Sequence, residues 1–423
     1  MSDATGAQIG ALIVATSGVQ LAAGYLGTFI PLRVTLENFS AIAAALVLSS
    51  YFAGFTVGAA FCGRIIERVG HIRAYAAFGG LVVAATVAMP LLVKPLPWLV
   101  LRAIVGFGCA GLFVTTEGWL NVKREAAKRG RVFSIYMVGT FVALGLGQLL
   151  VGQVDIKAPV SFDIIVAFFA MALAIVSMTR AEPPQIIIAA ALPYGQLARA
   201  APVAVAGAAL SGLISGAFYA LVPVWMQGKG DNHTTIGLVM LTAVLGGLAF
   251  QIPVGRLSDR LDRRMVLAGL CLGLVGAAIA LVYLPRTLAA VLPAVALFGG
   301  FMSTLYPVCV AHAYDLMPAD RAVPVSSRLI LRSGLGSVCG PIIGVSLMER
   351  FGIDGVLYLM GAAALLLALI AAGRSLTSAT PRPLARPLEI LTPQAAIVAQ
   401  DALTATPQSA EPAGRHIAAM VPR

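Results

Sequence analysis

The chain reads as an all-α integral membrane protein: twelve transmembrane helices in two pseudo-symmetric six-helix halves. Three observations carry that expectation. Hydrophobic residues make up 59% of the 423 residues and charged residues only 11%, about half the charged share of a soluble globule. Apolar runs long enough for the roughly 20 residues that cross a bilayer recur along the chain. One loop sequence occurs twice, its first glycines, Gly63 and Gly255, 192 residues apart. A soluble fold cannot bury so much apolar surface, because a large fraction of any globule still faces water.

The runs place spans at about 8–32, 40–62, 74–93, 97–120, 132–153 and 159–179 in the first half, and at 202–226, 235–254, 265–284, 288–312, 323–348 and 356–373 in the second. The first follows MSDATGAQ, which has no basic n-region, and is too long for a signal peptide, so it reads as a span of the mature protein. The division is therefore 1–179, a polar linker 180–200 (Arg180, Glu182, Pro183, Pro184, Arg199), 201–373, and a Pro-, Thr- and Ala-rich tail 374–423 that cannot bury a core.

Loop charge sets the orientation. With the N-terminus inside, the cytoplasmic loops hold fifteen Lys and Arg and the opposite loops six, Arg33, Lys94, Lys157, Lys229, Arg286 and Arg350. Both termini are expected in the cytoplasm of a bacterial cell, the chain lying in the inner membrane. The +11 net charge comes in short bursts between apolar runs, without the aromatic-interleaved patch of a nucleic-acid binder. Cys62, Cys109, Cys271, Cys309 and Cys339 lie in or beside apolar runs with no CxxC spacing and read as packing residues. His71, His233, His312 and His416 are scattered, so neither a metal site nor a cofactor is expected.

The repeated loop is the most informative feature. It reads GRIIERVGHIR from Gly63 to Arg73 and GRLSDRLDRR from Gly255 to Arg264, each after the second span of its half. Over about residues 8–373 the chain resembles the major facilitator superfamily, whose loop signature is G-x-x-x-D-R-x-G-R-[KR]. The second copy departs at Asp262, where glycine is usual; the first has Glu67 for the aspartate and His71 for an arginine. Stretches such as SSYFAGFTVG and ISGAFYALVPVW are similar to the YcaD-like bacterial permeases. Glu67 and Asp259 sit where a carboxylate can face a helix N-terminus, and neighbouring arginines can pair with acids ending spans four and ten. Each half so holds the ingredients of a cytoplasmic gate: Gly63, Glu67, Arg68, Arg73, Glu117 and Arg131 in one, Gly255, Asp259, Arg260, Arg264, Asp315 and Arg321 in the other, with Arg328 able to join through Glu67. The resemblance implies that such clusters hold the cytoplasmic side closed and break as it opens; the plainer alternative is ordinary loop charge.

Charges at membrane depth are functional candidates because each is costly there. Span four carries RAIVGFGCA, which matches the superfamily signature R-x-x-x-G-x-G-x-A at Arg102, Gly106, Gly108 and Ala110. In proton-coupled members that signature is linked to proton transfer; alternatively Arg102, about 7.5 Å of helix rise into its span, snorkels to the outer interface. Asp163 is a possible partner for it, or an interfacial acid. In span eleven Arg328 and Arg332 share a face with Gly336 and Gly340. Arg332, about 13 Å in, either meets an anionic group of a solute or pairs with an acid on another helix. Gln20, Tyr25, Tyr136, Gln148, Tyr219, Gln251 and Tyr306 can line a cavity or simply pack. Span one holds no acid, and span five lacks the antiporter pattern G-x-x-x-G-P-x-x-G-G, a related GSVCGPIIG falling in span eleven; both weaken a cationic-drug exporter.

Two homologous six-helix halves with a site between them imply secondary active transport by alternating access. With no nucleotide-binding signature the energy is expected from a gradient, protons first, and the solute to be a small anionic or vitamin-like metabolite taken up by a monomer. Efflux of drugs or waste metabolites is the alternative, and a non-transporting membrane sensor comes from a different class. An enzyme is not expected.

Overall fold

The computed structural model describes residues 2–121, 126–178, 193–318 and 321–377, with side chains from 10 onward except at 120–133 and 323. The expected linker 180–200 and tail 374–423 lie largely outside these residues, as does the side chain of Arg131.

The first half is α1 (Ser2–Leu36), α2 (Ala41–Val69), α3 (His71–Ala88), α4 (Pro95–Asn121), α5 (Ala126–Leu149) and α6 (Val160–Ser177). A short helix, α7 (Tyr194–Ala200), precedes α8 (Pro202–Gly228), α9 (His233–Arg260), α10 (Arg263–Tyr283), α11 (Leu288–Leu316), α12 (Ala322–Phe351) and α13 (Gly355–Thr377). Twelve of these are long and apolar enough to cross a membrane, and α7 is the exception. Leu46, Leu91, Leu272 and Leu369 are among the large apolar side chains left on the outer surface, as expected of a chain solvated by lipid.

Two helices outrun their apolar spans. The apolar runs end near residues 62 and 254, but RIIERV and GRLSDR hold few helix breakers, so α2 and α9 continue to Val69 and Arg260. Glu67 and Asp259 are therefore on helices, and the loop proper shrinks to a tight turn. In the first half that turn is Gly70, whose φ of 84° suits glycine. Both helices also start alike. Ser40 caps α2 by accepting from the Ala43 N–H, and Asn232, 192 residues on, caps α9 by accepting from the Thr235 N–H.

The halves share one packing plan. In the first, α1 packs on α5 and α6, α2 on α4, and α3 on α4 and α6; in the second, α8 packs on α12 and α13, α9 on α11, and α10 on α11 and α13. Four of these pairs close by reciprocal glycine contacts. A Cβ on Gly54 of α2 would collide with the Ala103 carbonyl of α4, and one on Gly106 of α4 with the Tyr51 carbonyl of α2. The same exchange links Gly246 to Ala296 and Gly299 to Ala243, Gly24 to Leu144 and Gly147 to Leu21, and Gly212 to Ser333 and Gly336 to Ala209. Each glycine touches the carbonyl three residues before its counterpart. Helices without a hydrophobic driving force between them associate through such close backbone approach.

The halves meet where α2 packs on α12, α5 on α9 and α1 on α8. On the face opposite the start of α1 and the end of α13 they are bound at Thr35, whose hydroxyl lies 2.7 Å from Gln227 Oε1. There Gly152 also packs against Thr234, and Gly237 against the Gln148 carbonyl.

Adding a methyl at one reciprocal contact should be costly. Gly106→Ala is expected to destabilise by about 1–3 kcal/mol through overpacking, read as a lower thermal midpoint of the detergent-solubilised protein. Gly80→Ala on α3, where a Cβ meets nothing within 4 Å, should leave the midpoint unchanged or raise it.

Candidate functional site

A cavity of about 160 Å³ lies between the halves. From the first half it is lined by Ala23, Leu26, Gly27 and Pro31 of α1, Leu48, Tyr51, Phe52, Phe55, Thr56 and Ala59 of α2, Arg102 and Cys109 of α4, and Phe141, Leu144 and Gln148 of α5. The second half adds Ser215, Tyr219 and Ala220 of α8, Met302 and Ser303 of α11, and Ile330, Ser333, Gly334 and Ser337 of α12. The lining is mostly apolar, with one aromatic shelf on α2, and among the described residues Arg102 is its only charged one.

The fourth-helix signature explains how Arg102 gets there. Gly106 sets α4 against the Tyr51 backbone, Gly108 faces Phe78 and Val82 of α3, and Ala110 meets Gly58 of α2. One turn before Gly106, the Arg102 guanidinium is carried over the Tyr51 ring at 4.7 Å. Arg102 is 4% exposed, so it does not snorkel to the interface. Its Nε has no hydrogen-bond partner, and no acid among the described residues pairs with it. The ring contact returns about 0.5–2 kcal/mol, less than the several kcal/mol that a buried, unpaired cation costs. Asp163 is not its partner: that side chain is exposed in the first turn of α6, and the two are not brought together.

The polar residues singled out from sequence divide. Gln148 and Tyr219 line the cavity, Gln148 also accepting a hydrogen bond from the Thr28 hydroxyl. Gln20, Tyr25, Gln251 and Tyr306 are buried but do not line it. Tyr25 donates to Ser161 Oγ of α6 at 2.9 Å, and Tyr306 packs in a cluster with Leu197, Val310 and Leu329. Arg332 is the main correction. It does not line the cavity; its guanidinium stacks 4.0 Å above the ring of Tyr194 on α7, the linker helix whose Leu197 is buried in that same cluster. Depth along a span says how far in a residue lies, not what covers it. GSVCGPIIG is a packing stripe, Gly336 and Gly340 lying against α8.

The charge clusters also differ from expectation, and from each other. In the second half the pivot is Arg263, which sequence reading passed over. It donates to Asp315 at 2.7 Å, reaches Asp259 at 3.5 Å and contacts Ser258 Oγ at 3.3 Å. Arg263 and Asp315 are nearly fully buried, so α9, α10 and α11 are tied within one half. Arg264 instead pairs with Asp262 at 2.8 Å and donates to the Arg374 carbonyl at 2.9 Å. Arg260 is exposed, and Arg321 donates to Gln196 of α7 at 3.0 Å. Gly255 lies within α9 and Gly63 within α2. In the first half Glu67, Arg68 and Arg73 are exposed, and no ion pair among the described residues reaches Glu67, from Arg328 or elsewhere. Glu117, near the end of α4, is buried beside the Tyr136 hydroxyl. His71, the counterpart of Arg263, packs on Trp119 with ring centroids 5.5 Å apart. Aligning the two loop copies on their glycines, which sets His71 against Arg263, was the signal that marks Arg263.

Two acids outside the spans are held ionised. Burial alone would raise the Asp262 carboxyl, but hydrogen bonds from the Arg264 side chain and backbone and the Arg264 charge outweigh it and keep it below the usual range. On the opposite face burial likewise acts to raise Asp354. Hydrogen bonds from Lys229 and Trp225 Nε1, both 2.8 Å, and the charges of Lys229 and Arg286 outweigh that and lower it. Arg286 also pairs with Asp231 and stacks 4.5 Å over Trp225.

Twelve spanning helices in two matched halves around a shared central cavity define a membrane transporter of the two-bundle class. The family model for the Major Facilitator Superfamily matches residues 12–233 and 204–406. The chain is 30% identical over 367 residues to the uncharacterized MFS-type transporter YcaD of Escherichia coli O7:K1, covering 86% of this chain and 94% of that one. It is equally identical over 371 residues to the YcaD of Shigella flexneri serotype 5b, with the same coverage. The chain belongs to the Major Facilitator Superfamily. It is a transporter, not an enzyme, and a multi-pass membrane protein related to YcaD. The fold is shared with a variant of the nucleoside transporter NupG (TM-score 0.75, 12% identity, 87% of this chain and 100% of that one). It is also shared with a variant of the peptide transporter POT in complex with sulfate (TM-score 0.71, 13% identity, 87% and 94%).

Breaking the buried pair should expose its cost. Asp315→Ala leaves Arg263 buried and should lower stability by about 3–5 kcal/mol, while Arg263→Met with Asp315→Leu should recover most of that, by thermal unfolding in detergent. Because Asp354 is lowered in the folded state, its contribution is complete above its unfolded value of about 3.9 and is lost as pH falls through the folded value. Asp354→Asn should therefore remove part of the loss of stability below about pH 4 while changing the pH 6–8 slope little.

Proposed function

We propose that the protein is a secondary active transporter that takes up a small organic solute across a bacterial inner membrane, driven by the proton gradient. The carrying observation is the cavity between the halves, bounded by α1, α2, α4 and α5 on one side and α8, α11 and α12 on the other. Proton coupling rests on the match of Arg102, Gly106, Gly108 and Ala110 to the signature of proton-coupled members. On this reading both termini are cytoplasmic, a single chain carries the cycle, and the described state is inward-facing, because the contacts binding the halves gather at Thr35, Gln227, Gly152 and Thr234 on the other face. The rigid halves rock about the cavity and expose it to each side in turn. An arginine in the lining, where a cation exporter needs an acid, weighs against export of cationic drugs.

The test needs no substrate. Spin labels at Thr35→Cys and Gln227→Cys, in lipid nanodiscs, should give two distance populations, the shorter matching the closed outer face and the longer its opening. Their ratio should shift with pH. One distance under all conditions would sink alternating access, and two populations indifferent to pH would sink the proton coupling.

A further inference from the structure

We infer that the solute is a small aromatic monoanion whose acid group sits on Arg102 and whose ring lies on the shelf of Tyr51, Phe52 and Phe55. This rests on the transport reading above and sharpens it. Charge comes first. Arg102 faces the cavity, is buried, and has an Nε without a hydrogen-bond partner and no acid beside it among the described residues. Arginine stays charged in proteins, so the empty cavity carries one uncompensated positive charge, and a ligand with one negative charge cancels it. A dianion would leave a buried excess of the opposite sign, and a neutral ligand would leave the arginine unpaired.

Shape and size narrow the class further. The guanidinium lies over Tyr51, whose ring is edge-on to Phe52 at 5.5 Å and tilted against Phe55 at 6.2 Å. These rings offer faces and edges to an aromatic guest directly beside the cation. The volume, about 160 Å³, is near the roughly 150 Å³ that accepts one benzene ring and below the roughly 300 Å³ at which drug-sized pockets begin. One ring with a short planar acid fits both limits, and the guanidinium fork matches a carboxylate through two parallel hydrogen bonds. Arg332, stacked on Tyr194 away from the cavity, takes no part.

The probe is benzoate, titrated into the full chain in nanodiscs and read by thermal shift and calorimetry, beside benzamide, phthalate and benzylammonium. Benzoate should bind best. Arg102→Gln should weaken it about 10- to 100-fold, the loss expected on removing a charged hydrogen-bond partner, and Arg332→Ala should bind as the native chain does. Should Arg102→Gln fail to fold, Arg102→Lys keeps the charge but loses the fork, and is expected to bind benzoate several-fold more weakly while still preferring it to benzamide. Failure of benzoate to bind, equal binding of benzamide or benzylammonium, or undiminished benzoate binding in the Arg102 variants would overturn the assignment. Flux is measured separately with benzenesulfonate, which stays ionised and does not leak through lipid. Accumulation in proteoliposomes under an imposed pH gradient supports both readings. Binding without flux would overturn transport and leave the ligand class standing.

Discussion

The constraint on which the architecture depends is the approach of backbone to backbone at reciprocal glycines. In lipid there is no hydrophobic gain in pressing two helices together, so closeness must come from small residues that let main chains touch. Here that device recurs in four pairs with one geometry: each glycine meets the carbonyl three residues before its partner's glycine. The pairs α2 with α4 and α9 with α11, and α1 with α5 and α8 with α12, are related by the internal repeat. They make each half a stiff unit. Between the halves Gly237 still meets the Gln148 carbonyl, but other contacts near the cavity are of another kind, a glycine against a side chain, as where Gly334 meets Thr56 or Gly145 meets Leu241. Side chains can change rotamer as the halves separate; interlocked main chains cannot.

Stiff halves joined by softer contacts also account for how the fourth helix presents its arginine. Gly106 is at once a member of a reciprocal pair and the residue that seats α4 against Tyr51, so the position of Arg102 follows from packing. The charge clusters are a second layer laid over this frame, and there the repeat has diverged. Arg263, held by Asp315 and Asp259, ties three helices of one half, whereas the place of Arg263 in the other is taken by His71, packed on Trp119, and the acid near the end of α4, Glu117, lies beside Tyr136. The repeat between the halves is kept in glycines more faithfully than in charges.

The fold was largely legible in the sequence because its determinants are one-dimensional: apolar run length and a repeated loop. The site was less so. Arg102 could be singled out because an ionisable residue in an apolar run is costly wherever it ends up. Arg332 satisfied the same criterion and misled, since its cover is supplied by Tyr194 from a linker helix too short and polar to stand out. Tyr25 and Tyr306 point into packing and not into the cavity, a matter of helix rotation that spacing alone does not fix. The aromatic shelf of α2, ordinary as a run of letters, becomes a surface only when α4 brings a cation over it.

The uncompensated charge of Arg102 has a kinetic consequence. If an anion neutralises it on binding, the loaded carrier crosses its midpoint as a paired, nearly neutral site, while the empty carrier must return with a bare cation sealed from water. The empty return is then the slow half of the cycle, and solute-for-solute exchange outpaces net uptake. Membrane voltage acts on that same step, so a single side chain would set both which solute is carried and which half-turn limits the rate.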